Sequence, residues 1–223
     1  MQIDRVQVKT NAKAALKANY WPIVGWLVLA AVILSASGGL CAAYIGIAAV
    51  IIVTPVITTG TALFSYRAYL GRKAGSDELF GGFHNLGHVI GGVWWMMLFQ
   101  YLWTLLFIIP GIIKGIAYSM TPFILADQPE VGAQDALKLS MAMTNGHKSE
   151  IFVMYLSFIG WSLLGALTAG ILDVFYVTPY MTLTLGGYYD ELKRAWQAEH
   201  PAETAETAAP EAPAAEIPAG PEL

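Results

Sequence analysis

The chain has 223 residues, of which 56% are hydrophobic and only 13% are charged, and its mean hydropathy is +0.54. Soluble domains carry about a quarter of their residues as charged side chains, so this composition excludes an ordinary soluble domain and predicts an all-α membrane protein. The formal net charge of -4 comes from five glutamates in the last 23 residues, and the rest of the chain is slightly basic. We therefore expect the phospholipid bilayer as the main partner and no nucleic acid.

The first apolar segment has two interpretations. A basic N-terminus, an apolar run and small residues at its end are also the features of a signal peptide. The next apolar run starts at once, at Leu40, so we interpret residues 20–36 as the first arm of a helical hairpin that turns at Gly38-Gly39. The single Cys41 can form no disulfide within the chain, and we expect it to be a small buried side chain.

A basic stripe precedes this arm. Lys9, Lys13 and Lys17 recur every four residues and therefore share one face of a helix. We predict an amphipathic helix over residues 6–19 on the cytoplasmic membrane surface, where anionic lipids attract such a stripe. The alternative is a solvated charged face on a helix that packs against protein.

Six apolar segments predict a polytopic helical bundle with six transmembrane helices in three hairpins. Two more cytoplasmic amphipathic helices are predicted, one with Ser76 as its N-cap and one that starts at residues 127–129. The predicted spans are residues 20–36, 40–66, 89–109, 112–126, 151–170 and 173–189.

The stretch from Tyr101 to Glu130 is the centre of this prediction. A single helix from Trp94 to Ala126 would be about 50 Å long, well beyond a hydrocarbon core of roughly 30 Å. Pro110 has no N–H and disfavours helix at the residue before it, so we predict that the chain folds back at Pro110-Gly111.

An apolar-Thr-Pro triplet occurs three times, each time in the second arm of a hairpin that follows an amphipathic segment. This order predicts a threefold internal repeat. Coincidence is the alternative, because membrane helices tolerate Thr and Pro. The predicted helix kinks are at Pro55, Pro110, Pro122 and Pro179.

Basic residues predict the orientation. With six spans and both termini in the cytoplasm, every Lys and Arg except Lys114 lies on the cytoplasmic side. Residues 1–198 are predicted to form one integral membrane domain. Residues 199–223 are rich in Pro, Ala and Glu, which predicts a disordered cytoplasmic tail.

The blocks IIPGII, YSMTPFILAD and LSFIGW, in this order, resemble the bacterial membrane family called domain of unknown function 975. The resemblance covers about residues 12–192 and implies a multi-pass protein of the bacterial inner membrane. It implies no established activity and supplies no catalytic or binding residues. More distantly, the chain resembles the membrane domain attached to some glycerophosphodiester phosphodiesterases, which implies lipid-linked surroundings without an active site.

No catalytic motif is recognisable in the sequence. It has no phosphate-binding glycine loop, Cys-x-x-Cys, His-Glu-x-x-His or nucleophile elbow, so we expect neither catalytic residues nor a cofactor. His84 and His88 have the spacing of paired metal ligands, but they lack a clear third ligand and we predict no metal site.

Lys114 and Asp173 are the candidate charged site, because both fall at predicted extracytoplasmic ends of hairpins. We hypothesise that they pair, since an unpaired charge at membrane depth costs at least a few kcal/mol. The alternative is that each extends alone to the outer interface. Gln100 and Thr121, with Thr104 and Ser119, are candidates for a polar path beside them, or for hydrogen bonds to helix backbone.

The leading functional hypothesis is a non-enzymatic protein that acts through lipids, a membrane-protein partner or a second copy of itself. The second is a transporter, a channel-like protein or an export and immunity component that handles a small or amphipathic molecule. A membrane-embedded enzyme is the third.

Overall fold

A computed structural model describes residues 3–39, 45–72, 74–83, 85–106 and 108–201. All regular secondary structure in these ranges is helical, which confirms the all-α prediction. A short 3-10 helix covers Gly81–Phe83, and a π-helix covers Asp173–Val177. The α-helices are α1 Arg5–Ala18, α2 Tyr20–Gly39, α3 Ile45–Tyr69, α4 Ser76–Leu79, α5 Leu86–Leu106, α6 Ile108–Tyr118, α7 Thr121–Asp127, α8 Ala133–Met143, α9 Lys148–Leu167 and α10 Thr178–Glu199.

The three helices that contain a Thr-Pro dipeptide, α3, α7 and α10, meet in the centre of the molecule. A Cβ at Gly186 of α10 would lie 3.0 Å from the carbonyl oxygen of Ser65 in α3, so a glycine permits this close approach. The ring of Phe123 in α7 stacks on that of Tyr189 in α10, with 5.3 Å between centroids. Buried aromatic and aliphatic side chains therefore fill the place where the three helices meet.

The amphipathic helices pack against this centre with their apolar faces. Val8, Ala12 and Leu16 of α1 are buried against α3 and α10. Ser140 of α8 donates to the carbonyl oxygen of Ala117 in α6, at 2.7 Å. The apolar face of α1 is thus covered by protein, and the position of its basic face at the membrane surface stays a prediction.

The predicted chain reversal near Pro110 is present, but the break precedes the proline. Helix α6 begins at Ile108, so Pro110 lies in its first turn, where a missing N–H loses no intrahelical hydrogen bond. Gly111 then packs against α5, where its added Cβ would lie 2.8 Å from the Cα of Thr104. Pro110 therefore starts the second arm of the hairpin and does not kink a helix.

Other predicted boundaries also change. The predicted fourth span is two helices, because the chain breaks at Ser119-Met120 and Pro122 lies in the first turn of α7. Helix α4 ends at Leu79, so the amphipathic helix predicted from Ser76 does not run into the next span, and Gly75 is its N-cap. Helix α2 continues through Gly39, so the turn predicted at Gly38-Gly39 is wrong, and Leu40 and Cys41 fall outside the described residues.

Four segments of the described chain are long and apolar enough to cross a membrane. They are Tyr20–Ser37, Val50–Tyr69, Ile109–Asp127 and Lys148–Leu167. The predicted third and sixth spans, which correspond to α5 and to the π-helix with α10, are not among these four. The structure thus supports a helical membrane protein with four candidate spans.

Two prolines leave backbone carbonyls that aromatic side chains satisfy. Pro55 lies inside α3, and the carbonyl oxygen of Ile51, four residues earlier, accepts the indole N–H of Trp94 at 2.9 Å. Pro179 stands in the same relation to Phe175, whose carbonyl oxygen accepts the hydroxyl of Tyr20 at 3.0 Å. These bonds tie α3 to α5 and the start of α10 to α2.

The first of these bonds is testable by Trp94→Phe. Loss of the indole N–H leaves the Ile51 carbonyl without a donor in apolar surroundings, and we expect a loss of about 1 to 3 kcal/mol in the free energy of unfolding. Denaturant unfolding of the purified protein in detergent micelles measures it. Trp95→Phe, at an exposed neighbouring ring, is the matched control and should change little.

Pro55→Ala restores a backbone N–H for the same carbonyl. In that background we expect Trp94→Phe to cost much less. An equal cost with and without Pro55 would show that packing, and not the hydrogen bond, explains the role of Trp94.

Candidate functional site

Charged and tyrosine side chains gather where the ends of α3 and α7 meet the middle of α10. Asp127, the last residue of α7, accepts the hydroxyl of Tyr189 at 2.9 Å and pairs with the ammonium of Lys193 at 2.5 Å. Asp190 pairs with Arg194 at 2.7 Å and accepts the hydroxyl of Tyr66 at 3.3 Å. We call these six side chains the interhelical charge cluster: Tyr66, Asp127, Tyr189, Asp190, Lys193 and Arg194.

Helix geometry places the members that α10 contributes. Tyr189 and Lys193 are four residues apart and therefore face α7 together. Asp190 and Arg194 have the same spacing and form a pair within the helix. Tyr189 is fully buried, with its ring edge-on to that of Tyr66 at 5.0 Å. The cluster thus fixes the ends of α3 and α7 relative to the middle of α10.

A third ion pair attaches α4 to α3. The Glu78 carboxylate accepts from the guanidinium of Arg67 at 2.5 Å and from the N–H of Gly75 at 2.7 Å. Burial alone would raise the pKa of Glu78, but these hydrogen bonds and the charge of Arg67 together hold it below its ordinary value. The carboxylate is therefore ionised at neutral pH.

A cavity of about 130 Å³ lies beside Glu78, between α3, α5 and α7. Thr59, Asn85 and the pair Gly81-Gly82 contribute to its wall. A water molecule takes about 30 Å³ of liquid volume, whereas pockets for small organic ligands measure roughly 300 to 1,000 Å³. This cavity has room for a few waters and not for a ligand of that size.

Lys114 lies against aromatic rings and α8. Its ammonium is 3.7 Å from the sulfur of Met141 and 5.2 and 6.0 Å from the ring centroids of Trp103 and Tyr118. The sequence placed Lys114 outside and α8 on the cytoplasmic side. The structure brings the ends of the Lys114 and Met141 side chains together, and the predicted membrane sides of Lys114 and α8 stay predictions.

The structure does not join Lys114 to Asp173. Asp173 starts the π-helix, and its carboxylate fills the space that a Cβ at Gly165 would occupy. The ion pairs of the described residues include no bond between these two side chains. The predicted pairing is therefore absent from this structure, and each residue has its own surroundings.

The predicted polar path resolves mostly into local hydrogen bonds. Gln100 donates to the carbonyl oxygen of Gly111 at 2.9 Å, across the α5–α6 hairpin, and Thr104 and Ser119 bond to carbonyls of their own helices. The buried Thr121 hydroxyl has no hydrogen-bond partner among the described residues. Gln100 and Thr104 thus lie together on one face of α5, 3.3 Å apart, and Gln100 carries the bond to α6.

Metal ligands are not grouped in the described part of the chain, where no three His, Cys, Asp or Glu side chains are placed to share an ion. His88 lies in the first turn of α5, and His84 falls outside the described residues. The expectation that the protein has no metal site stays a prediction.

An all-helical fold with four apolar segments of membrane-crossing length indicates an integral membrane protein. Residues 84–195 match the model of a family described as "Protein of unknown function (DUF975)", so the chain belongs to that family. The match confirms the resemblance from α5 into α10, while residues 12–83 lie outside it.

No curated protein and no solved structure matches the chain. The more distant resemblance to the membrane domain of glycerophosphodiester phosphodiesterases stays a prediction.

The importance of the charge cluster is testable by Asp127→Ala. This change leaves Lys193 and the Tyr189 hydroxyl without their acceptor. We expect a loss of about 2 to 3 kcal/mol in the free energy of unfolding, below the value for a fully buried pair because each charged side chain is about one-fifth exposed. Unfolding in detergent micelles is the measurement.

Asp135→Ala is the matched control, because its pair with Lys138 is largely exposed. It should change stability by less than about 1 kcal/mol. Equal effects of the two substitutions would show that the charge cluster has no special structural role.

Acid should remove the stability that Glu78 contributes. Because its pKa is lower in the folded state, this contribution is complete above the ordinary value of 4.5 and is lost as pH falls below it. We expect the stability difference between the natural chain and Glu78→Gln to shrink over that range in micelles. Asp77→Asn, at the exposed neighbouring residue, is the control, and a pH-independent difference for Glu78→Gln would contradict the assignment.

Proposed function

We propose that the protein is a six-span scaffold of the bacterial inner membrane, which acts by holding lipids or membrane proteins at its perimeter and not by catalysis. The observation that carries this proposal is the filled centre. Tyr188, Tyr189, Met120 and Ile124 are all fully buried in one core cluster, and Phe123 packs beside them. The packed side chains of this centre, in the described part of the chain, support a function other than the passage of a solute.

The perimeter, in contrast, is apolar and uncovered. Only 22% of the window Lys148–Leu167 is buried, and α9 exposes large apolar side chains from Phe152 to Leu167. That exposed stretch is about 22 Å long, and the one on α5, from Leu86 to Leu105, is about 28 Å long. These lengths approach a hydrocarbon core of roughly 30 Å, which supports α5 as a span in addition to the four candidates.

The predicted sixth span, residues 173–189, corresponds to the π-helix and the first half of α10. Ile171, Val174 and Phe175 are exposed and apolar, whereas α10 becomes charged from Asp190 onward. This division supports a helix that crosses the membrane with its first half and extends into the cytoplasm with its second.

A threefold repeat accounts for the packing order. In the chain, α1 to α3, α4 to α7 and α8 to α10 each end in a Thr-Pro helix. In space, the amphipathic helix that opens each unit contacts the closing arm of the unit before it. Leu79 of α4 contacts Gly60 of α3, Ser140 of α8 bonds to α6, and Val8 of α1 contacts Gly187 of α10.

The hydrogen bonds from aromatic side chains to the carbonyls that precede Pro55 and Pro179 connect the units in the same order. Trp94 of the second unit bonds to the first, and Tyr20 of the first unit bonds to the third. The helix contacts and the aromatic hydrogen bonds both connect the second unit to the first and the first unit to the third. This shared order supports a closed ring of three related units, and a chance recurrence of Thr-Pro would not predict it.

Transport remains the second hypothesis, as a transporter, a channel-like protein or an export and immunity component. The buried Thr121 hydroxyl, which has no partner among the described residues, is the observation in its favour, because it would be available to a solute if the centre opened.

Reporter fusions test the topology. We expect cytoplasmic signals after Lys73, Lys148 and Arg194 and periplasmic signals after Gly38, Gly111 and Gly170, because basic residues favour the cytoplasmic side. A periplasmic signal after Lys148 would refute the six-span arrangement.

Reconstituted liposomes test the choice between scaffold and transporter. We expect ion and solute flux equal to that of protein-free liposomes. Flux above that level, reduced by Thr121→Val, would favour the second hypothesis. Hydrolysis of a lipid phosphate that one acidic substitution abolishes would favour the third, an enzyme.

A further inference from the structure

A lysine of α1 lies on the exposed surface of α9. The Lys9 ammonium donates to the hydroxyl of Ser157 and lies 4.7 Å from the ring centroid of Phe158. Ser157 in turn donates to the carbonyl oxygen of Met154 at 2.5 Å, which fixes its hydroxyl as an acceptor for Lys9. An ammonium has three N–H donors, so this arrangement leaves donors for another ligand.

The positive charge at this position has no counter-ion in the described structure. Arg5 lies one helical turn before Lys9 and adds a second positive charge to the same side of α1. Loss of hydration and then the charge of Arg5 lower the pKa of Lys9. The described ion pairs include neither residue.

The acids nearest in the chain to these two cations and to Ser157 are already engaged. The Asp4 carboxylate caps α1 by accepting the N–H groups of Val6 and Gln7. Glu150, in the first turn of α9, bonds to His147 at 3.2 Å. An exposed arginine, a partly exposed lysine and a fixed hydroxyl therefore lie together with no ion-pair partner among the described residues.

Apolar side chains of α9 flank this position on both sides. Leu156 and Ile159, which adjoin Ser157 and Phe158 in the chain, are about half exposed. A molecule that satisfied the cations here would have a phosphate or carboxylate at one end and an apolar portion that covers α9. A phospholipid with a net negative charge has both parts.

We propose that Arg5 and Lys9 bind the phosphate of an anionic phospholipid whose acyl chains lie along the exposed face of α9, with Ser157 as a positioning residue. This inference rests on the proposed function, because it requires α9 to face the bilayer. The ligand class is an anionic glycerophospholipid. Its phosphate accepts charge-assisted hydrogen bonds from both cations.

Lipid retention tests the site. The full chain is reconstituted into nanodiscs of equimolar phosphatidylcholine and phosphatidylglycerol, and native mass spectrometry counts the lipids that stay bound after release. We expect preferential retention of phosphatidylglycerol. Because a basic residue near an anionic membrane surface contributes about 1 kcal/mol, Lys9→Gln should lower that preference about fivefold.

Arg5→Gln should lower the preference similarly, and Lys9→Arg should retain it. Lys138→Gln is the matched control, because Lys138 is an exposed lysine of another amphipathic helix and already has an acidic partner. Arg5 is exposed, so Arg5→Gln keeps the test valid if Lys9→Gln does not fold. Ser157→Ala should weaken retention without abolishing it.

Three outcomes would overturn the proposal. The first is equal retention of both lipids by the natural chain. The second is an equal loss of preference in Lys9→Gln and Lys138→Gln. The third is displacement of phosphatidylglycerol by inorganic phosphate, which would identify a site for a free anion. A failed topology or flux test would reject the scaffold, whereas these outcomes reject the lipid site alone.

Discussion

A proline inside an apolar helix creates a carbonyl that water cannot satisfy, and this constraint organises much of the structure. At Ile51 the donor is the indole of Trp94, and at Phe175 it is the hydroxyl of Tyr20. Each donor comes from a helix distant in the chain. The Thr-Pro dipeptides therefore create specific requirements for neighbours, and the packing of α5 on α3 and of α2 beside the start of α10 meets them.

The interhelical charge cluster stabilises the central helices by ion pairs, where the ends of α3 and α7 meet the middle of α10. Asp127 and Lys193 stabilise each other only while α7 and α10 keep their relative position, because removal of one charge leaves the other without compensation. The stacked rings of Phe123 and Tyr189 lie directly beside this pair. Apolar packing and ion pairing thus favour one arrangement of the central helices.

The sequence predicts those parts of the structure that depend on local chemistry. Composition predicts an all-helical membrane protein, and the length limit predicts a chain reversal near Pro110, which the start of α6 at Ile108 places slightly earlier. The i,i+4 spacing of Asp190 and Arg194 is visible in the sequence and could have indicated their pair. Asp127 and Lys193 are 66 residues apart, and no periodicity connects them. The contact of Lys114 with Met141 could not be predicted for the same reason, since it depends on the packing of α8 against α6.

The packing and ion pairing of the central helices are the reason to propose a function at the perimeter of the protein. Opening the centre for a solute would separate the ring of Tyr189 from those of Tyr66 and Phe123, and it would break the Asp127–Lys193 pair. Each aromatic pair contributes about 0.5 to 1.5 kcal/mol beyond the free energy of burying its apolar area. Breaking the ion pair leaves two charges without compensation, which destabilises the open state further. A transported solute would have to supply that free energy by binding the open state better than the closed one. A lipid or partner that binds the exposed face of α9 has no such cost, because the side chains it covers are already accessible.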